Sequence, residues 1–255
     1  MSDIDFKLLE AERLASKTID EFGICLPEHI RIRDIAFAKG AMVVEQRLKR
    51  AAASIVKVGN HATIRIPPTD LPERKRFSIA HELGHLLMGH VESIQKACSD
   101  DDMMNWYQSS QETQANFFAS ELILPTTLVS RRCDIGEISF DPVKQIASDF
   151  RASLTATAIK FVRLCPEMCA VVYSTDGIVK WFYKSPDWWP FIHRGKKLDK
   201  RTLAYDFFVG EPMEPDPVEV DADAWVESRG LDELVEHSIA SSHYGFVLSL
   251  LWISI

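Results

Sequence analysis

Two histidines four residues apart, with a glutamate beside the first, are the residues of this chain best spaced for chemistry: His81-Glu82-Leu83-Gly84-His85. On a helix, positions four apart share a face, with Cβ atoms roughly 5–6 Å apart, so both imidazoles can address one cation. Glu82 lies about 100° round the helix from His81 and would flank that cation rather than cap it. The pattern H-E-x-x-H suits a zinc hydrolase, in which two neutral nitrogens hold the ion and a nearby carboxylate takes a proton from the water that attacks. A chance match in 255 residues has a probability on the order of one or two per cent. A third ligand has to decide the matter.

A catalytic zinc site takes three protein ligands and leaves one position open. His90 is tempting, because a longer pattern, H-E-x-x-H-x-x-G-x-x-H, supplies a third histidine. That pattern requires glycine at position 88 and histidine at 91, where this chain has Met88 and Val91. His90 is therefore read as a residue that stabilises the helix C-terminus as a cation or touches substrate. The other candidates stand on a second helical stretch, residues 111–121. There Glu112, Ala115, Asn116 and Ala119 recur at i, i+3, i+4 and i+7. Small residues beside the acid allow close approach to the histidine helix, whereas Glu121 is about 180° away from Glu112. Glu112 is the expected third ligand, with Asn116 placed to orient it from behind. A solvated acid at a helix N-terminus is the plainer reading of Glu112.

The run Arg76-Phe77-Ser78-Ile79-Ala80-His81-Glu82-Leu83-Gly84-His85, followed by Glu112-Thr113-Gln114-Ala115-Asn116-Phe117-Phe118-Ala119 and Leu122-Ile123-Leu124-Pro125, resembles the ImmA/IrrE family of bacterial metallopeptidases. The likeness spans roughly residues 5–165. It implies a cytoplasmic protease with one catalytic Zn2+, held by His81, His85 and Glu112, with Glu82 as general base. Its implied substrate is a helix-turn-helix transcriptional repressor, whose cleavage switches on a DNA-damage, mobile-element or antiphage response. Single-stranded DNA is the activator that the resemblance suggests. The fold implied is α+β: a zincin-like metallopeptidase domain with a helical extension, over residues 1–165, then a small GAF-like α+β sensor domain over 166–255.

The elements that must position these residues can be read from periodicity. An amphipathic helix is expected over 5–22, with Phe6, Leu9, Leu14 and Ile19 as its apolar positions, and a short helix over Ile30–Lys39. Three extended runs follow, Met42–Gln46, Ser54–Val58 and Ala62–Ile66, the last two joined by a hairpin-like Gly59-Asn60-His61. Pro67, Pro68 and Pro72 lead into the histidine helix, predicted over Phe77–His90. A small antiparallel sheet here would offer an edge strand on which an extended peptide could pair. That favours an endopeptidase over a deaminase, which also needs a P-C-x-x-C partner motif. Val91–Gln111 reads as a flexible loop over the cleft. Its Cys98 has two readings, an inhibitory fourth zinc ligand or a loop thiol of no consequence.

Residues 125–165 read as a helical bundle, with one helix from Asp141-Pro142 through Phe150 and another over Ser153–Leu164. From Cys169 strands are expected: Ala170–Ser174 and Ile178–Tyr183 about an Asp176-Gly177 turn, Ala204–Val209, and the pair Leu234–Ala240 and Phe246–Ile253. Trp188 and Trp189, near Arg194, Lys196 and Lys197, combine stacking surface with positive charge as single-strand binders do. A buried aromatic cluster is the competing reading.

Composition narrows the function classes. Lys and Arg number 29 against 37 Asp and Glu, a net charge of −8, which opposes indiscriminate wrapping of nucleic acid. The basic clusters Arg31/Arg33, Arg47/Lys49/Arg50, Arg74/Lys75/Arg76 and Arg194 to Arg201 are each read as solvated faces. Five cysteines, an odd number, without a secretory signal point to reduced thiols in the cytoplasm. No stretch approaches the roughly 20 apolar residues of a membrane span. Two rival functions remain: a non-proteolytic sensory or antitoxin-like binding protein that retains the metal site, and a DNA-binding regulator using residues 125–165.

Overall fold

The computed structural model describes residues 3–48, 53–69, 71–91, 96–98, 110–134, 136 and 138–254. The chain divides into two compact units, one of residues 1–128 with 147–153 and the other of 129–146 with 154–255.

In the first unit, Ala11, Ala15, Thr18 and Ile19 are buried at helical spacing along α1 (Asp3–Glu21). Phe6, expected on that face, is exposed. The short helix α2 (Ile32–Ala38) buries Ile32, Ile35 and Ala36 and leads into β1 (Ala41–Glu45). Strands β2 (Ala53–Val58) and β3 (His61–Ile66) form the predicted hairpin, with Val58 opposite His61 and Gly59 in the left-handed conformation. In β3 burial alternates, with Ala62, Ile64 and Ile66 turned inward. β1 runs parallel to β3, not antiparallel as the sequence suggested, because the chain reverses twice, once into β2 and again at the β2–β3 hairpin, before β3 lies beside β1. With β4 (Lys96–Cys98) the sheet has the order β1-β3-β2-β4.

Helix α3 (Pro72–Leu87) packs against β2, β3, α2 and α4 (Ser110–Ile123), and α4 packs in turn against α1. Every residue from Ser78 to His85 is buried, so the histidine segment is the centre of this unit. The contact between α3 and α4 depends on Gly84: a Cβ built there would lie 3.0 Å from Phe118 Cδ1 and 3.3 Å from its Cβ. Phe118 is itself fully buried, and burying such a ring contributes about 1.5–3 kcal/mol. The glycine inside the histidine motif therefore lets α4 come close enough to present Glu112.

Short helix α5 (Thr126–Val129) follows at once. Helix α6 (Phe140–Phe150) carries residues of both units. In the second unit α7 (Leu154–Leu164) packs against β5 (Cys169–Thr175) and β6 (Ile178–Lys184). The turn between those strands has φ 54° at Asp176 and 67° at Gly177, the paired positive values of the two-residue hairpin that Asp-Gly favours. Downstream come β7 (Phe191–Ile192), α8 (Leu203–Val209), β8 (Val218–Asp221), α9 (Ala222–Trp225), β9 (Val226–Glu227), β10 (Glu233–Ser241) and β11 (Phe246–Trp252). The main sheet has the order β6-β5-β11-β10-β8, antiparallel throughout. The strand expected over Ala204–Val209 is instead helix α8, started by Thr202, whose side chain accepts from Tyr205 N–H, and stopped by Gly210 at φ 80°.

One face of this sheet buries Ala170, Val172, Val247 and Leu251 against Trp188, Ala204 and Trp225. Glu236 lies within it with no exposed surface. Its carboxylate accepts hydrogen bonds from Leu203 N (3.0 Å), Ala204 N (2.9 Å), Trp225 Nε1 (2.7 Å) and Ser238 Oγ (2.6 Å). Burial raises this carboxyl above the usual range, against the pull of those donors. Nothing in the sequence pattern singled out Glu236, since one acid on a strand carries no spacing signal.

A candidate metal centre between two helices

His81 and His85 project from the same face of α3 into the contact with α4. Their Nε2 atoms are 3.1 Å apart. Glu112 Oε2, from the first turn of α4, is 3.2 Å from each of them. Neither histidine has exposed surface, and Glu112 is 7% exposed. Three ligands bound to zinc at roughly 2.0–2.1 Å in tetrahedral directions are spaced about 3.3 Å apart. The three atoms thus already form the face of such a polyhedron. Among the described residues this is the one cluster of three ligand-type side chains gathered about a point.

The polar groups behind the ligands fix their orientation. Asn116, expected behind Glu112, meets His81: Oδ1 is 2.9 Å from His81 Nδ1, so an N–H on Nδ1 donates to the amide oxygen and leaves the Nε2 lone pair facing the site. His85 Nδ1 is 3.0 Å from His90 Nδ1, which gives His85 the same tautomer when His90 accepts. His90 reaches this place through the end of α3. Gly89 takes φ 71°, while His90 N–H donates to His85 O (2.9 Å) and Gly89 N–H to Leu86 O (3.2 Å). This paired closure at a left-handed glycine folds the chain back over the last turn. His90 thus lies behind His85 and outside the three-ligand cluster. A spacing of five residues does not share a helix face, so only the glycine turn could have hinted at it. Replacing His90 by alanine is expected to weaken affinity for a divalent metal about ten- to a hundredfold with the fold intact. Competition with a chromogenic chelator measures it, and affinity equal to wild type would remove this role.

Glu82 stands beside His81 in the same buried segment and contributes no atom to the three-ligand cluster. Glu121 faces elsewhere, as its position on the helix requires: its carboxylate accepts from Thr126 N (2.8 Å) and Thr126 Oγ1 (2.7 Å).

The IrrE N-terminal-like domain model matches residues 30–161, just over half of the chain and both helices of the candidate metal centre. The chain belongs to this Peptidase_M78 family. It carries an IrrE-like metallopeptidase domain whose buried histidines and glutamate form a candidate metal site. Among solved structures, one described as a Mycobacterium tuberculosis transcriptional regulator is similar in fold, with a TM-score of 0.61 at 14% identity, over 95% of this chain and 76% of that one. No curated protein matches.

The remaining residues singled out by sequence scatter. Cys98 ends β4 opposite Ala53, so its backbone belongs to the sheet rather than to a loop, while its thiol lies outside the described residues. Most of the stretch expected to cover the cleft, 92–95 and 99–109, also lies outside them. Trp188 is 2% exposed, with its Nε1–H donated to Pro190 O at 2.9 Å. It is a core residue of the second unit and offers no ring face to a base. Trp189, Phe191, Arg194 and Lys197 are exposed, and Lys196 Nζ donates to the Asp223 and Ala224 carbonyls. No helix among the described residues is long and apolar enough to cross a membrane.

Proposed function

We propose that this protein is a zinc-dependent endopeptidase that cleaves a helix-turn-helix transcriptional repressor. The observation that carries the reading is the reach of Glu112, from a separate helix, to 3.2 Å from both histidine Nε2 atoms. Two nitrogens and one carboxylate oxygen form a donor set that suits zinc with a position left open. When bound there, zinc supplies Lewis acidity to a peptide carbonyl and to a water molecule. His81, His85 and Glu112 would hold it, with Asn116 and His90 fixing the imidazole tautomers. Glu82 takes the proton from the attacking water and returns it to the leaving amine. The two sheet edges, β1 and β4, present backbone groups with which an extended substrate strand can pair.

The repressor substrate and a DNA-damage, mobile-element or antiphage response come from family likeness, and the fold likeness to a transcriptional regulator agrees with a role in transcription. On this reading residues 166–255 form a GAF-like sensor, and single-stranded DNA is the trigger. Trp189, Arg194 and Lys197 are its candidate contacts. The test is a gel assay with the helix-turn-helix repressor encoded beside the gene, with and without single-stranded DNA and with Glu82→Gln as control. Cutting by wild type alone is expected. Intact repressor in both lanes, with zinc bound and DNA present, would favour the non-proteolytic binding protein.

A further inference from the structure

A second polar site lies on the first unit, on the side of α3 turned away from the metal ligands. Pro72, Lys75, Arg76 and Ile79 follow one another at i, i+3, i+4 and i+7, so they share a face. His81 and His85 fall roughly 170° and 130° round from its centre. That face and the start of α2 line a recess of about 400 Å³, within the range of small-ligand sites. Arg31, Arg33, Lys75, Arg76 and Arg151 line it, with Asp34 as the lone acid. Two basic clusters that the sequence presents as separate solvated faces thus converge on one hollow in a protein of net charge −8.

The local charges do not balance. Asp34 is held by Arg31 at 2.6 Å, and Glu45 is shared by Arg33 and Lys75. Arg76 and Arg151 have no carboxylate partner among the described residues. The Arg76 guanidinium donates only to backbone carbonyls, Ile30 O at 2.9 Å and Phe150 O at 3.4 Å, and its Nε is buried without a hydrogen-bond partner. Burial and the Arg151 charge both lower the Arg76 pKa. Arg151 itself has φ 50°, at the position after α6 where the paired closure Ala152 N to Ala147 O and Arg151 N to Ser148 O is normally made by glycine. A side chain kept at that backbone cost and left without a counter-charge calls for an anion. The first turn of α3, with Pro72 leading it and no side chain capping it, adds its partial positive charge to the same hollow.

We propose that this recess binds the phosphate groups of a small phosphate ester, such as a nucleoside diphosphate, independently of the metal centre. Guanidinium forks match phosphate oxygens in pairs, and several uncompensated cations favour a multiply charged anion over a single carboxylate.

Calorimetric titration of the full chain with inorganic phosphate, pyrophosphate and a nucleoside diphosphate, at low and constant ionic strength, tests it. Saturable one-to-one binding is expected, tighter for pyrophosphate than for phosphate. Arg151→Gly should weaken it about tenfold or more without lowering the melting temperature, since glycine suits that backbone. Arg31→Gln should weaken it as well. No saturable binding of any of the three, or binding unchanged in Arg151→Gly, would overturn the proposal. Tighter binding of hexaglutamate than of pyrophosphate would reassign the recess to acidic peptides. Displacement of pyrophosphate by oligothymidine but not by the nucleotide would assign it to nucleic acid.

Discussion

Replacing Glu82 by glutamine is expected to leave one zinc ion bound per chain while peptide cleavage falls by about 10²–10⁴-fold. The expectation follows from a division of labour on α3. His81 and His85 give their Nε2 atoms to the three-ligand cluster, and Glu112 completes it from α4. Glu82 is in none of those contacts, yet it is as buried as they are and adjacent to His81. A fully buried carboxylate is costly, and proton transfer beside the site is a function that accounts for it. Glutamine keeps the shape and can still hydrogen-bond, but it cannot take a proton from water. Single-turnover rates on the proposed repressor substrate, paired with metal content, separate the two effects. Loss of zinc together with activity would make Glu82 structural, and cleavage within a few-fold of wild type would remove it as the base.

Glu236→Ala is expected to cost the second unit about 3–5 kcal/mol of stability, seen as a large drop in the midpoint of its unfolding by denaturant. Four donors converge on that carboxylate from three places in the fold: the start of α8, the Trp225 indole of α9, and Ser238 on its own strand. Removing the acceptor strands buried donors, each costing about 1–3 kcal/mol, and opens a cavity in the core. The Ser238 hydroxyl has a fallback in Ser249 at 2.7 Å, which limits the total. Metal binding in the first unit is expected to survive the substitution. A midpoint within experimental error of wild type would mean that α8 and α9 are held by apolar packing alone.

The three-ligand cluster, a candidate metal centre, was legible because helical spacing is a local rule. His81, His85 and Glu112 each sit where period 3.6 places them, and the small residues beside Glu112 announced a close helix contact; Asn116 shares the Glu112 face, but its contact with His81 crosses between helices, which spacing within one helix does not reveal. His90 was not legible, since its place depends on a backbone reversal at Gly89 that brings an off-face residue back over His85. The same limit explains other departures. A short apolar run such as Ala204–Val209 suits strand and helix alike, and here the caps at Thr202 and Gly210 decided for helix. Trp188 and Trp189 are identical to a composition argument, yet one is 2% and the other 51% exposed. Charge clusters on different elements, Arg31/Arg33 and Arg74 to Arg76, show no sign in sequence that they meet.

The most direct test of the metallopeptidase assignment is zinc content by plasma mass spectrometry, on wild type and on Glu112→Ala purified alongside it. About one zinc per wild-type chain is expected, and close to none in the variant after brief dialysis against a weak chelator, because a third ligand from α4 is what distinguishes a three-ligand metal site from two neighbouring histidines. Wild type without zinc or another divalent transition metal, or a variant that retains as much as wild type, would contradict the assignment.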